Sequence, residues 1–360
     1  MPWRDVSSHA PCAVCDKPDW CSVSRDGAWA ICRRVNTGEG LHKVDKAGGE
    51  YWLYRLDGAR PEQRQAVKVP PQPIAQCADV GTRDRVYRAL LAMLPLTAAH
   101  RGNLQRRGLN DTEIGTRMYR SLPVRGRAAL AKRLVEQFGA TTCARIPGLY
   151  VAEQEGRHWW SLAGAAGLAI PVRDLAGHIV ALKIRADDPG SGPRYTTVSS
   201  AKHHGPGPGV QVHVPLFSGS LGSVIRVSEG EIKGDVATAL SGTRTLALPG
   251  VALWREALPA LQVLHATRVW LAFDADWRTN PHVAYALGQV AFALVDAGYT
   301  VEVEDWEAAQ GKGIDDLLAA GHAPALKPAA LAFGALVRSR ARVWTGTLKT
   351  IAAEEIPAWH

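Results

Sequence analysis

The sequence predicts an α/β protein centred on a largely parallel sheet, preceded by a basic mixed α+β region and a small cysteine-bearing N-terminal module. Three observations predict it. From Ser223 onward, short apolar runs rich in branched residues alternate with segments of helical period. Two of those runs end in acidic residues, Glu229 and the pair Asp274 and Asp276. Four of the six cysteines crowd into the stretch Cys12–Cys32.

With 360 residues, 46% of them apolar, the chain has material for two or three packed domains. No apolar run approaches the length of a membrane span. The N-terminus MPWRDVSSHAPC has no charged-then-apolar signal pattern, so the expectation is a cytoplasmic protein without a membrane partner. A formal net charge of +8 is compatible with a polyanionic partner but does not demand one.

Along the chain, residues 1–57 read as the cysteine module. Cys12-x2-Cys15 puts two thiols on one tight turn, and Cys21 and Cys32 can close a tetrahedron around a structural Zn²⁺; His9 or His42 stands as an alternative ligand. Clustering in one corner of a large chain argues against a disulfide scaffold. Trp20, Trp29, Arg33 and Arg34 suit base stacking and phosphate contact, or simply a small core. GGEYWLYRL reads as a closing strand. The proline-rich residues 58–81 read as a linker.

Residues 82–222 begin helical, with VYRALLAMLPL and RAALAKRLVEQFG carrying apolar residues at three and four spacing among many arginines. GLAIPVRDLAGHIVALKIRADD then reads as a hairpin turning at Leu175–Ala176–Gly177. Lys183 and Arg185 alternate with apolar neighbours, which predicts one exposed basic face. With Arg194, Tyr195 and Lys202 following, this surface suits phosphate groups, against the plainer reading of solvated charges.

Residues 223–322 predict four strands (SVIRVS, TLALPG, RVWLAF, YTVEVE) separated by the helices EIKGDVATALSG, WREALPALQVLH and PHVAYALGQVAFALVDAG, with IDDLL a last turn. Glu229 stands at the end of the first strand, before Gly230. Asp274-Ala-Asp276 follows the third strand, where the intervening residue turns both carboxylates to one side. Hard oxygen donors grouped at one sheet edge suit Mg²⁺ or Mn²⁺. Asp315 is a further candidate donor, although helix capping explains Asp315 and Asp316 equally well. Residues 323–360 read as a helical tail.

Glu-Gly after one strand and Asp-x-Asp after a later one, on this alternation, resembles the TOPRIM domain. With the cysteine cluster ahead of it and the segment IPVRDLAGHIVALKIR…GPRYTTVSS between, the chain resembles DnaG-type primases, those of phages and mobile elements in particular. The resemblance covers roughly residues 10–55 and 165–321. It implies a DNA primase that joins nucleoside triphosphates into short RNA primers on single-stranded DNA, with a separate replicative helicase as a possible partner. It also implies Glu229, Asp274 and Asp276 as the catalytic metal-binding set. Lys183, Arg185, Arg194, Tyr195, Lys202 and Lys233 would handle template and nucleotide. The family usually has an aspartate four residues after the glutamate, where this chain has Lys233; Asp235 is the nearest substitute. A TOPRIM nuclease and a non-catalytic DNA-binding protein are the rival readings. No GxxxxGK[ST] loop supports an ATPase-linked nuclease.

Overall fold

The computed structural model describes residues 3–38, 40–44, 50–56, 76–190, 192–219, 222–329 and 331–333. Most of the expected linker and residues 334–360 of the expected tail lie outside them. The chain divides into two compact units, Met1–Gln72 and Pro73–His360.

The first unit is one antiparallel sheet of β1 (Trp3–Asp5), β2 (Ser22–Ser24), β3 (Trp29–Cys32), β4 (Leu41–Val44) and β5 (Glu50–Arg55), ordered β1-β2-β3-β5-β4. Among the described residues its core is small: Cys12, Cys21, Ala30, Cys32 and Tyr54. So few buried side chains leave little apolar stabilisation, the usual situation in which a bound metal completes a mini-domain.

The second unit opens with helices whose first turns are capped by their own sequence. In α1 (Val80–Ala92) Asp79 accepts from the Thr82 amide at 2.9 Å, and in α3 (Asp111–Arg117) Asn110 accepts from the Glu113 amide at 2.8 Å. Between them lies α2 (Ala98–Arg106), capped by Thr97. After β6 (Arg120–Leu122), α4 (Arg127–Phe138) and α5 (Ala140–Cys143) comes a hairpin, β7 (Leu149–Gln154) and β8 (Arg157–Leu162), which the sequence reading did not anticipate. Glu155 and Gly156 both take positive φ at its turn (52° and 73°).

The anticipated hairpin is β9 (Gly167–Arg173) and β10 (Ile179–Ala186), joined by β11 (Tyr195–Thr197) into the sheet β11-β10-β9-β6. Its expected exposed basic face is not exposed, and this corrects the sequence reading: Lys183 is only 8% accessible. One face of the sheet packs on α1 and α4, and the other packs Leu168 and Ile170 against Ile232 and Val236.

The α/β part follows as β12 (Val224–Glu229), α6 (Glu231–Ser241), β13 (Thr245–Leu248), α7 (Leu258–Val263), β14 (Arg268–Ala272), α8 (Pro281–Asp296), β15 (Thr300–Asp305), α9 (Ile314–Ala319) and β16 (Ala325–Pro328). The expected helix WREALPALQVLH shortens to a 3₁₀ turn, Val251–Ala257, before α7; Pro259, with no amide hydrogen, fits only a first turn. Strand order is β13-β12-β14-β15-β16, parallel except for β16. β16 corrects the expected start of a helical tail. An edge position tolerates Pro328, which cannot donate to a ladder. Because the chain leaves β12 first to one side and then to the other, β12 and β14 flank a topological switch point, where open α/β sheets form a crevice at the carboxyl ends of their strands.

Candidate functional site

The switch point gathers the acidic residues. Ser228 pairs with Ala272 across the parallel ladder, so Glu229 on β12 and the Asp274–Asp276 turn after β14 leave adjacent strands at the same edge. Gly230 turns the chain into α6 with φ 89° and ψ 133°, a conformation that L side chains rarely take, and a Cβ there would meet no atom within 4 Å. The Ala275 amide donates to the Lys312 carbonyl at 2.9 Å, which holds the Asp turn against the loop before α9.

Cations fill part of this edge. Lys233, one turn into α6, ion-pairs with Asp274 Oδ1, and Lys312 Nζ lies 3.6 Å from Asp274 Oδ2. Lys183 Nζ donates to Glu231 Oε1 at 2.5 Å, which is why that lysine is buried. Asp315, 2% accessible, takes Arg107 Nη1 on Oδ2 at 2.7 Å. Asp316 instead accepts from the Gly313 amide at 3.3 Å, so only the second of the two aspartates caps α9.

Among the described residues two carboxylate oxygens are buried without a partner: Asp276 Oδ1 and Asp315 Oδ1. Burial pushes the Glu229 carboxyl above its usual range; Asp274 and Asp276 add to that, while Lys233 and Lys183 oppose it. Burial likewise raises Asp315, helped by Asp316 and opposed by Arg107 and Lys233. An edge of crowded, incompletely paired carboxylates is arranged to receive positive charge. Among the described residues, however, Glu229, Asp274 and Asp276 are not gathered as tightly as the cysteines described below.

Asp235 takes no part in this edge. Two residues beyond Lys233, it is buried on the other side of α6, where Arg117 Nε donates to Oδ1 at 3.1 Å and the Tyr119 hydroxyl to Oδ2 at 2.5 Å. His213 Nδ1 accepts the Arg173 amide, which leaves the proton of a neutral ring on Nε2, 3.3 Å from Asp235 Oδ1. Burial alone would raise this carboxyl, but His213, Arg117 and Tyr119 hold it below the usual carboxylate range.

Of the other basic candidates, Arg185 and Arg194 line a recess of about 320 Å³ with His100, Asn103, Arg106 and Asp187. Arg185 Nη1 reaches Asn103 Oδ1 at 3.4 Å. Both Asn103 and Arg106 lie on α2: Arg106 is one of the many arginines of the helical segment among which the sequence offers no choice, and Asn103 carried no motif to single it out. Tyr195 and Lys202 are exposed, and among the described residues no contact links them to the acidic edge.

In the first unit the Sγ atoms of Cys12, Cys15, Cys21 and Cys32 lie within 4.8 Å of one another, and all four cysteines are free. Cys15 to Cys21 is 3.8 Å and Cys21 to Cys32 is 3.9 Å. A tetrahedral ion with metal–sulfur bonds of about 2.3 Å separates its ligands by roughly 3.8 Å, so these thiols fit one. His42 is instead placed against Glu50, 3.7 Å away, and tilted on Trp52.

Residues 222–325 match a family described as a domain of unknown function, DUF3854. No curated protein matches the chain. Solved structures do. The chain is similar to the zinc-binding and RNA polymerase domains of the Aquifex aeolicus primase, at 12% identity and TM-score 0.52, with 74% of this chain and 66% of that one covered. It is also similar to the E. coli primase catalytic core (17%, TM-score 0.53, 77% and 92% covered). A third similar structure is the RNA polymerase domain of the Mycobacterium tuberculosis primase DnaG in complex with a double-stranded DNA oligomer with a 6-nucleotide overhang (18%, TM-score 0.51, 74% and 81% covered). The likeness is one of fold: a mixed α/β architecture of several sheets, as in DnaG primase cores. No helix among the described residues is long and apolar enough to cross a membrane.

Proposed function

We propose that this chain is a DNA primase that synthesises short RNA primers on single-stranded DNA, its parallel sheet being a TOPRIM domain. The observation that carries the reading is the convergence of Glu229, Asp274 and Asp276 on the switch point of β12 and β14. The similarity in fold to primase cores supports it. Replication of a phage or mobile element is the setting that the sequence resemblance favours.

The donor set suits a hard divalent cation, Mg²⁺ or Mn²⁺: carboxylate oxygens only, one of them, Asp276 Oδ1, buried and unpartnered. When bound, such an ion supplies charge that offsets the triphosphate and its departing pyrophosphate. Glu229 serves the attacking 3′-hydroxyl, either accepting its proton or holding the ion beside it. A carboxyl raised by burial, as Glu229 is, has the basicity that proton acceptance asks for. Arg185 and Arg194, in their recess, are suited to template or triphosphate phosphates, with Tyr195 and Lys202 on the adjoining surface. Asp315 supports the edge from beneath through Arg107. The four cysteines would hold a structural Zn²⁺, whose module contributes the exposed Trp20 for contact with single-stranded template.

The test is an assay with labelled ribonucleotides, single-stranded DNA and Mg²⁺ or Mn²⁺. Incorporation is expected, and Asp274→Ala or Glu229→Gln should lower it by at least about 10²–10³-fold while DNA binding persists. Degradation of the DNA would point to a TOPRIM nuclease. Binding without chemistry would point to a non-catalytic DNA-binding protein.

A further inference from the structure

We infer that Lys233 is a resident cation of the acidic edge, so that the edge takes one divalent ion where a carboxylate in place of the lysine would let it take two. The inference rests on the metal-dependent reading of this edge and adds how many ions it holds and why.

Three observations carry it. Lys233 is the third residue of α6, so the first turn of the helix holds it beside the strand ends that carry the acids. Its ammonium meets Asp274 Oδ1, and Lys312 approaches the other oxygen at 3.6 Å. The lysine stem is fixed as well: a Cβ built on Gly313 would lie 3.1 Å from Lys233 Cε and 2.5 Å from Asp315 Oδ1, which places stem and buried carboxylate against the same loop.

Partition of the oxygens follows from these contacts. Arg107 already neutralises Asp315 through Oδ2, so Asp315 adds little net charge for an ion. Asp274 is shared between two lysines. Glu229 and the unpartnered Asp276 Oδ1 remain, which is a donor set for one ion completed by water and substrate oxygens. Paired-ion phosphoryl-transfer sites place their metals roughly 3.5–4 Å apart, bridged by a shared ligand. An ammonium seated on Asp274 takes the second ion's place with a single charge, and its three hydrogens can also donate to a phosphate oxygen. Lys312, 73% accessible at its side chain, is free to leave when substrate arrives; Lys233, at 25%, is held.

The experiment counts Mn²⁺ bound to the zinc-loaded full chain, by paramagnetic resonance of free Mn²⁺ and by calorimetry, in the absence of nucleotide. The native chain should bind one ion at the acidic edge. Lys233→Asp should bind two. Lys233→Met, which keeps the stem and cannot add a ligand, should still bind one, at least about tenfold more tightly because Asp274 is released. Circular dichroism and thermal unfolding establish that each variant is folded. Two ions in the native chain, none in any of the three chains, or the same count and affinity in all three would overturn the inference. One ion without nucleotide incorporation would instead overturn the primase reading and leave the role of Lys233 standing. Incorporation by a native chain that binds two ions would do the reverse.

Discussion

Helix α6 carries a charged residue into each of two acidic clusters, and the two are built on opposite terms. On one side Asp235 has Arg117, Tyr119 and His213 around it, and its pKa is held down. On the other, Lys233 faces Glu229, Asp274, Asp276 and Asp315, where two oxygens lack partners and two carboxyls are pushed up by burial. The closed cluster ties elements together. Asp235 joins α6 to Arg117 of α3 and to Tyr119, just before β6, while His213 bridges β9, through the Arg173 amide, and β13, through Ala247. The difference teaches that burial of a carboxylate is no pointer to a site by itself; incomplete pairing is what sets the proposed site apart.

The strongest way to break this comparison is Asp235→Ala. It leaves Arg117, 4% accessible, with Glu113 as its remaining anion and takes the acceptor from the buried Tyr119 hydroxyl, which should cost about 3 kcal/mol in urea unfolding, with Mn²⁺ binding in the surviving folded fraction unchanged. The pH dependence has a definite sign. A carboxyl whose pKa is lowered on folding stabilises above its unfolded pKa, and that stabilisation is lost as pH falls through the lower folded value. The native chain should therefore lose stability in acid more steeply than Asp235→Ala. Equal acid profiles would show that Asp235 is not the closed, ionised centre described here.

The two clusters were not equally legible in the sequence. Glu229, Asp274 and Asp276 stood out because each ends an apolar run, and a run-and-helix alternation fixes where strand ends must be. The identity of Asp235's partners had no such signal. Arg117 and Tyr119 lie 118 and 116 residues away, and only packing brings them in. Lys183 failed for a related reason: alternation showed which residues share a face but could not show that α6 covers that face. The hairpin β7–β8 was missed because its second strand is half exposed and carries no apolar alternation, although Glu155-Gly156 was a usable turn signal.

A smaller effect of opposite sign comes from Glu229→Gln. With its pKa raised on folding, Glu229 favours the folded state below its unfolded pKa, and that contribution is lost as pH rises through the raised folded value. At neutral pH the charge is a burden on the metal-free protein. Its removal should raise stability by roughly 0.5–2 kcal/mol, the gain shrinking toward acid pH, while nucleotide incorporation falls. A loss of stability at neutral pH would place Glu229 with Asp235, among carboxylates that hold the fold.

The smallest expected effect separates two neighbours that the sequence left equivalent. Asp316 accepts one long hydrogen bond, 3.3 Å, from the Gly313 amide at the start of a helix of 6 residues. Asp316→Ala should cost about 0.5 kcal/mol and leave Mn²⁺ affinity unchanged. Asp315 lies against the same loop as the stem of Lys233 with one oxygen unpartnered, so Asp315→Asn should alter Mn²⁺ affinity even where stability hardly moves. The contrast is decisive because both substitutions remove one negative charge from adjacent positions on α9. A charge effect acting at long range through solvent would make them alike. If instead only Asp315→Asn is felt at the metal edge, the coupling runs through the buried Asp315, its ion pair with Arg107 and the loop it shares with Lys233. The open cluster then extends from β12 and β14 to α9.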